Sequence, residues 1–310
     1  MIRISTITPC FRMKPYLKLF LDELPKQTFF DHLEVVLDHN EPDEEEIKWV
    51  KDFQNKYPGH IKHLITNPVV PIGTSMNRCI KEASGELLTI WNVDDLRTDN
   101  SIELMVEAFD NGADIVYGNF EVVRSFGSKS GKLVDFSKYQ DQPTEFTRSM
   151  LLGPFMAFRK SLCEKAGYFD EQLKSGADFD LAIRLAFHGK PGFASGLLGY
   201  YLNEGKGAST RPNSRQQLER TAIELRYGIY DKIDYDYVVE ASQLDILHIH
   251  AYNQYVQVSK LVPDYHKKIR VNFENLHARG LWRYVIYKLT FRKIIRTSLV
   301  KLVKKIIYKQ

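Results

Sequence analysis

Short apolar runs alternate with stretches of helical spacing through the first 120 residues, the pattern of a βαβ series. Parallel strands joined in this way need crossover helices, so the chain reads as α/β with a mostly parallel sheet covered on both faces. Strands are expected at residues 2–8, 33–38, 63–66 and 86–91, with helices at 14–24, 44–56 and 74–83 between them. Ser84-Gly85 stops the third helix before the fourth strand, and Asp99, Ser101 and Glu103 open a further one. The rhythm then changes: residues 114–124 read as one long strand and 127–131 as a turn, the irregular half of a mixed sheet. Past about Arg211 the strand signals fade and helical patterns rich in Tyr, Ile and Leu take over. The expected organisation is a catalytic domain over residues 1–210 and a helical C-terminal extension over 211–310.

With 44% hydrophobic and 26% charged residues in 310, disordered and collagen-like classes are excluded. The three cysteines, Cys10, Cys79 and Cys163, lie too far apart for a metal knuckle and are odd in number, which fits a reducing compartment. The N-terminus reaches Pro9 with neither a basic stretch nor a long apolar run, and no segment approaches the ~18 apolar residues of a membrane span. The expectation is a cytoplasmic protein.

The net charge of +4 conceals an asymmetry. Residues 283–310 hold nine basic side chains and no acidic one, so this tail carries +9 and the rest of the chain −5. Its apolar residues recur at helical spacing (Ile294-Ile295, Leu299-Val300, Leu302-Val303, Ile306-Ile307), the signature of a basic amphipathic helix lying on an anionic membrane surface. A solvated helix packed on the body is the alternative. Nucleic-acid binding is not expected from an acidic body without a reader motif.

In open parallel sheets, ligands bind beyond the carboxyl ends of the strands. Asp38 closes the second expected strand, and Asn92-Val93-Asp94-Asp95 closes the fourth. Adjacent carboxylates repel, and a divalent cation relieves that repulsion; carboxylate oxygens suit Mg²⁺ or Mn²⁺, which bridge to phosphates. A helix cap beside a solvated loop acid is the plainer reading of Asp94 and Asp95. Farther on, Gly176-Ala177-Asp178-Phe179-Asp180 opens a helical pattern, where one acid can cap and another can take a proton from a hydroxyl.

Taken in order, Ile4-Ser5-Thr6-Ile7-Thr8-Pro9, Gln27-Thr28, the strand ending at Asp38, Gly73, Asn77, Ala83-Ser84-Gly85-Glu86, Asn92-Val93-Asp94-Asp95, Gly153-Pro154, Gly167-Tyr168-Phe169-Asp170, Ala177-Asp178 and Arg184 resemble a family-2 glycosyltransferase of the GT-A fold over about residues 1–210. The resemblance implies inverting transfer of a sugar from a nucleotide diphosphate, most often UDP, to a hydroxyl acceptor, with Mn²⁺ or Mg²⁺. It implies that Pro9, Asp38, His39, Asn77, Asn92 and Asp94 meet the donor, that Asp94 and Asp95 hold the metal, and that Asp178 is the general base.

The chain departs from the family pattern at several positions. Asn92 stands where the metal motif often opens with an acid, His39 where a second acid follows Asp38, Met76 where an Arg often precedes the Asn, and Ala177 where a Glu often precedes the base. The stretch from Asn203 to Arg211, rich in glycine and basic residues, suits a loop closing on a diphosphate through Lys206 or Arg211, or a plain connection to the helical tail.

The resemblance and the basic tail together suggest cell-surface polysaccharide, lipopolysaccharide or glycolipid assembly, with a glycan or lipid-linked acceptor at the inner face of the cell membrane. A sugar nucleotidyltransferase shares the sheet and metal logic but needs a glycine-rich loop after the first strand, which Thr8-Pro9-Cys10-Phe11-Arg12 lacks. A non-catalytic membrane scaffold is the third reading. His248 and His250, two apart in an expected helix, do not share a face, so packing with an Asp245 contact is expected there. Trp91 is expected in the core.

Overall fold

The computed structural model describes residues 1–140, 153–205, 215–229, 233–234 and 236–268. The βαβ series is present as β1 (Ile4–Phe11), α1 (Lys14–Glu23), β2 (Leu33–Asn40), α2 (Glu44–Lys56), β3 (Ile61–Thr66), α3 (Ile72–Glu82) and β4 (Leu87–Ile90). After it come β5 (Leu96–Arg97), α4 (Ser101–Asp110), β6 (Ile115–Val123), β7 (Lys132–Val134), β8 (Ala157–Arg159), α5 (Leu162–Ala166), α6 (Ala177–Ala186) and β9 (Pro191–Leu202). The last elements are α7 (Gln216–Tyr227), α8 (Val238–Ala241), β10 (His248–Ala251), β11 (Gln254–Gln257) and α9 (Val258–Leu261).

The sheet runs β3-β2-β1-β4-β8-β6-β9-β5, with β7 paired to β6. Its first four strands are parallel, β8 is antiparallel to both β4 and β6, and β9 runs parallel to β6. This is the mixed, mostly parallel sheet expected from the sequence. Local chemistry sets several boundaries. The Asp43 carboxylate accepts Glu46 N–H, and the Glu46 carboxylate accepts Asp43 N–H, each at 2.9 Å, which satisfies two donors at the start of α2.

Strand pleating divides the core in two. On one face Ile4, Val35, Leu37 and Leu87 meet α1, α2 and α4 through residues such as Phe20, Phe53 and Phe109. On the other, Ile7, Val36, Leu88 and Ile90 meet α3, α5, α6 and α7. Trp91 lies in the first of these cores, edge-on to Phe20 at 5.5 Å.

Two expectations about the C-terminal third are corrected. The boundary at residue 210 does not separate two cores, because Ile223, Tyr227, Ile249, Val258 and Leu261 pack in the same cluster as Ile7 and Val36. Nor is the region wholly helical, since β10 and β11 form an antiparallel hairpin. The two-residue period of a strand puts His248 and His250 on one face, where Asp245 lies 3.1 Å from His248 Nδ1 and 2.8 Å from His250 Nε2. Among the described residues no helix is long and apolar enough to cross a membrane.

Gly85 shows how tightly β1 and the start of β4 approach. A Cβ there would stand 2.8 Å from Ser5 N and 2.9 Å from Ile4 C, both backbone atoms of a central strand. Gly85→Ala is therefore expected to cost about 2 kcal/mol through strand displacement, read as a lowered midpoint in thermal or urea unfolding.

Candidate active site

The pleat decides which strand-end residues can meet a ligand. Pro9, Asn40, Ile90 and Asn92 leave β1, β2 and β4 toward the α3 side and line one cavity of about 570 Å³. Its wall continues through Ser75 and Met76 of α3, Asp94, Lys174, Ser175 and Asp178 beside α6, and Tyr201 at the end of β9. Asp94 and Asp178, 84 positions apart in the chain, thus share one cleft.

The turn carrying Asp94 is built around a buried neighbour. Asp95 Oδ1 accepts Leu202 N–H at 2.9 Å and Oδ2 accepts Asn92 Nδ2–H at 3.0 Å, while Trp91 Nε1–H donates to Asp95 O at 3.1 Å. Below them Arg97, fully buried between the rings of Trp91 and Phe155, donates to Thr89 Oγ1 and Ile90 O. Asp95 is accordingly turned into the protein and Asp94 into the cavity, so only one of the two expected metal ligands lines the cleft. Burial raises the Asp94 carboxyl above its ordinary range, with the charge of Glu204 adding to the rise. Burial also raises Asp95, with Asp94 adding to it.

Among the described residues, no three of His, Cys, Asp and Glu converge into a metal cage. The donor set instead consists of the Asp94 carboxylate at a cleft wall, with Asp95 behind it and Glu204 close enough to act on it. Mg²⁺ or Mn²⁺ fits such a set, because these ions keep waters and share their coordination with substrate phosphates.

Asp178 occupies the first turn of α6, with Gly176 at the N-cap and no side-chain cap. Capping therefore does not account for it. Burial pushes its carboxyl up to about 6; the Phe179 N–H, donated to Oδ1 at 2.8 Å, opposes the rise and Glu219 adds to it. Asp180 has a different fate: it is fully buried and bonded to Arg184, Arg226 and Tyr227.

Asp38 lies just behind the cavity wall. Its Oδ1 accepts Thr66 Oγ1–H at 2.7 Å and faces Arg78 at 3.4 Å, while its Oδ2 is buried without a hydrogen-bond partner. Asn40, two residues on and on the same face, is the residue of β2 that reaches the cavity.

Like Asp38, two further residues expected at the donor, His39 and Asn77, do not line the cavity. His39 points to the opposite face, buried against His63 Nε2 at 3.2 Å and Glu46 at 3.6 Å, because odd and even positions of a strand face opposite ways. Asn77 is buried and wholly engaged: its amide donates to Phe169 O and Glu171 Oε1, and its Oδ1 accepts Phe169 N–H, each at 2.9 Å. Lys206, Arg211 and the basic tail from Arg283 lie outside the described residues.

Sequence reasoning missed Asn40, Ser75, Lys174 and Tyr201. The two-residue step from Asp38 would have found Asn40, whereas Lys174 and Tyr201 reach the cleft only through tertiary contacts. Asn77→Ala is expected to lose about 2 kcal/mol of stability while nucleotide-sugar affinity stays within twofold, checked by unfolding and by calorimetry.

The family model described as Glycosyl transferase family 2 matches residues 5–167. An uncharacterized glycosyltransferase of Bacillus subtilis, YwdF, is 26% identical over 192 residues, covering 60% of this chain and 68% of that protein. Among solved structures, S. aureus TarS residues 1–349 in complex with UDP-GlcNAc superposes with a TM-score of 0.58 at 16% identity, covering 90% of this chain and 92% of that one. A longer TarS chain gives 0.58 at 18% identity, and there the match spans 80% of this chain but 42% of its own length. The mannosyltransferase PcManGT from Pyrobaculum calidifontis, in complex with GDP-Man and Mn²⁺, gives 0.50 at 16% identity over 99% of this chain and 88% of that one. These likenesses show a shared GT-A fold.

Proposed function

Because the chain belongs to glycosyl transferase family 2, we propose that it moves a sugar from a UDP donor to a hydroxyl acceptor in one displacement, inverting the anomeric centre. The observation that carries this reading is the single cavity lined by both Asp94 and Asp178. Pro9, Asn40, Ser75 and Met76 wall the part of the cleft next to β1 and β2, where the nucleoside is placed. Asn92 and Asp94 follow at the tip of β4, where the ribose and diphosphate are placed. Asp38, behind Asn40, acts here through the strand end it secures.

Asp94, with Asp95 behind it, would hold a divalent cation, which when bound would supply positive charge against the departing diphosphate. Asp178 accepts the proton of the acceptor hydroxyl. The freed oxygen pair attacks the anomeric carbon as its bond to the diphosphate oxygen breaks, and attack from the opposite side gives inversion. A carboxyl with its midpoint near 6 is ionised at neutral pH yet basic enough to take that proton.

The printed ligands of the neighbours, UDP-GlcNAc in one and GDP-Man with Mn²⁺ in the other, support a nucleotide-sugar donor. For the acceptor we infer a glycan or lipid-linked hydroxyl in cell-surface assembly, reached from the cytoplasmic side of a membrane that the basic tail binds. The sequence alone supports this part, through the nine uncompensated charges of residues 283–310.

Asp178→Asn is expected to lower transfer by about 10³-fold while donor binding persists, and wild-type transfer should fall about tenfold per pH unit below the Asp178 midpoint. Full activity in Asp178→Asn removes the base assignment. Thermal shift with UDP-glucose, UDP-GlcNAc, UDP-galactose and GDP-mannose, with and without Mn²⁺, should show metal-dependent stabilisation by one UDP sugar that Asp94→Ala abolishes. Stabilisation by GDP-mannose alone overturns the UDP assignment, and binding of a donor without any turnover points to a scaffold. Deleting residues 283–310 should release the protein from anionic vesicles; undiminished binding overturns the role of the tail.

A further inference from the structure

One buried carboxylate outside the cavity lining bears directly on Asp178. Glu219 of α7 has no exposed surface, and its Oε2 accepts three consecutive backbone N–H groups, those of Lys174 at 2.9 Å, Ser175 at 2.7 Å and Gly176 at 3.0 Å. Its Oε1 accepts Arg215 Nε–H at 3.2 Å. Three successive donors gathered on one oxygen form an anion nest, here filled by the protein's own side chain.

The nest ends at Gly176, the N-cap of α6, and Asp178 follows two residues later. Contact with α7 is close: a Cβ on Gly176 would stand 2.9 Å from Ile223 Cδ1 and 3.4 Å from Glu219 Cβ. One turn farther along α7, Arg226 donates to Asp180 Oδ1 at 2.6 Å and Asp170 Oδ2 at 2.8 Å, and Tyr227 O–H donates to Asp180 Oδ1 at 2.8 Å. Residues 219, 223, 226 and 227 make one face of a helix, and that face grips α6 at its first turn.

We propose that Glu219 is a positioning residue for the general base: by binding the backbone of residues 174–176 it fixes the first turn of α6 and aims Asp178 into the cleft. The proposal rests on the reading of Asp178 as the base. It gives α7, beyond the family-matched residues 5–167, a part in catalysis. The same carboxylate acts on Asp178 through its charge, which raises the Asp178 midpoint. Among the charged groups on the surrounding elements, Lys174 and Asp94 line the same cavity as Asp178, Asp180 pairs with Arg184 and Arg226, Arg215 at the α7 N-cap pairs with Glu219, and Arg220 pairs with Glu224 and lies over the Phe179 ring.

Glu219→Gln and Glu219→Asp separate position from charge. The amide keeps the length and loses the charge; the aspartate keeps the charge and falls short of the nest. Amide hydrogen exchange at residues 174–176 should quicken at least about tenfold in both, since the charge-assisted bonds weaken or break. By ¹³C titration of the side-chain carboxyl, the Asp178 midpoint should move down from about 6 in Glu219→Gln and stay raised in Glu219→Asp.

Release of nucleoside diphosphate from the donor found by thermal shift, with Mn²⁺ and water as acceptor, should show kcat reduced about tenfold in both variants and donor KM within twofold. A merely structural role would lower the unfolding temperature and leave the titration and kcat of the folded protein unchanged. That result, or unchanged exchange at residues 174–176, overturns the proposal. Should Glu219→Gln fail to fold, Glu219→Asp decides by exchange and kcat. Asp178→Asn run alongside keeps the readings distinct: if it remains fully active, both the base and its positioning fall, whereas an inactive Asp178→Asn beside an unaltered Glu219 pair sinks the positioning alone.

Discussion

A carboxylate buried at the tip of β4 accepts a backbone N–H from the last residue of β9, and this bond between Asp95 and Leu202 joins the two halves of the sheet where the cleft opens. Leu202 is far from Asp95 in sequence, and β9 reaches this turn by pairing with β5, Leu96 opposite Tyr200. The Asp95 bond extends that pairing by one residue and turns its carboxylate inward, away from the cleft that Asp94 lines. Hydrogen bonds from Leu202 and Asn92 and the nearby Arg97 guanidinium offset part of the cost of desolvating the Asp95 charge, and burial still leaves its carboxyl raised.

The same device recurs elsewhere in the fold. Glu219 gathers the amides before α6, and Asp180 and Asp170 share Arg226 beneath it. Glu34 accepts from Ser5 and Ser84 where β4 begins beside β1. Each of these acids is spent on structure. Asp94 and Asp178 differ in lining the cavity, where their raised carboxyls make them responsive to a cation or a proton. In the proposed reaction, structural and chemical acids are paired at both ends, Asp95 with Asp94 and Glu219 with Asp178.

Much of this was legible in advance. The βαβ rhythm specifies the parallel half of the sheet, and the strand-end rule alone puts Asp94 at a cleft. His39 and Asn77 misled for separate reasons. His39 is adjacent along the chain to Asn40, which lines the cavity, but a strand turns neighbours to opposite faces. Asn77 matches a family position, yet here its amide ties α3 to the Phe169 segment. The hairpin at residues 248–257 was hidden because its apolar spacing fits a helix as well as a strand, and its partner strand is what chose.

The sequence by itself determined the order of strands and helices over the first 120 residues, the alternation of faces along each strand and the family, because periodicity and short-range spacing are properties of neighbours in the chain. Only the tertiary structure decided which acids line the cleft and which are consumed by the fold. Asp94 and Asp95 are chemically alike on paper, as are Asp178 and Asp180. Their roles part when Leu202, Arg184 and Arg226 arrive from elsewhere, since the partner of a buried charge is set by packing across the sheet and across α6 and α7.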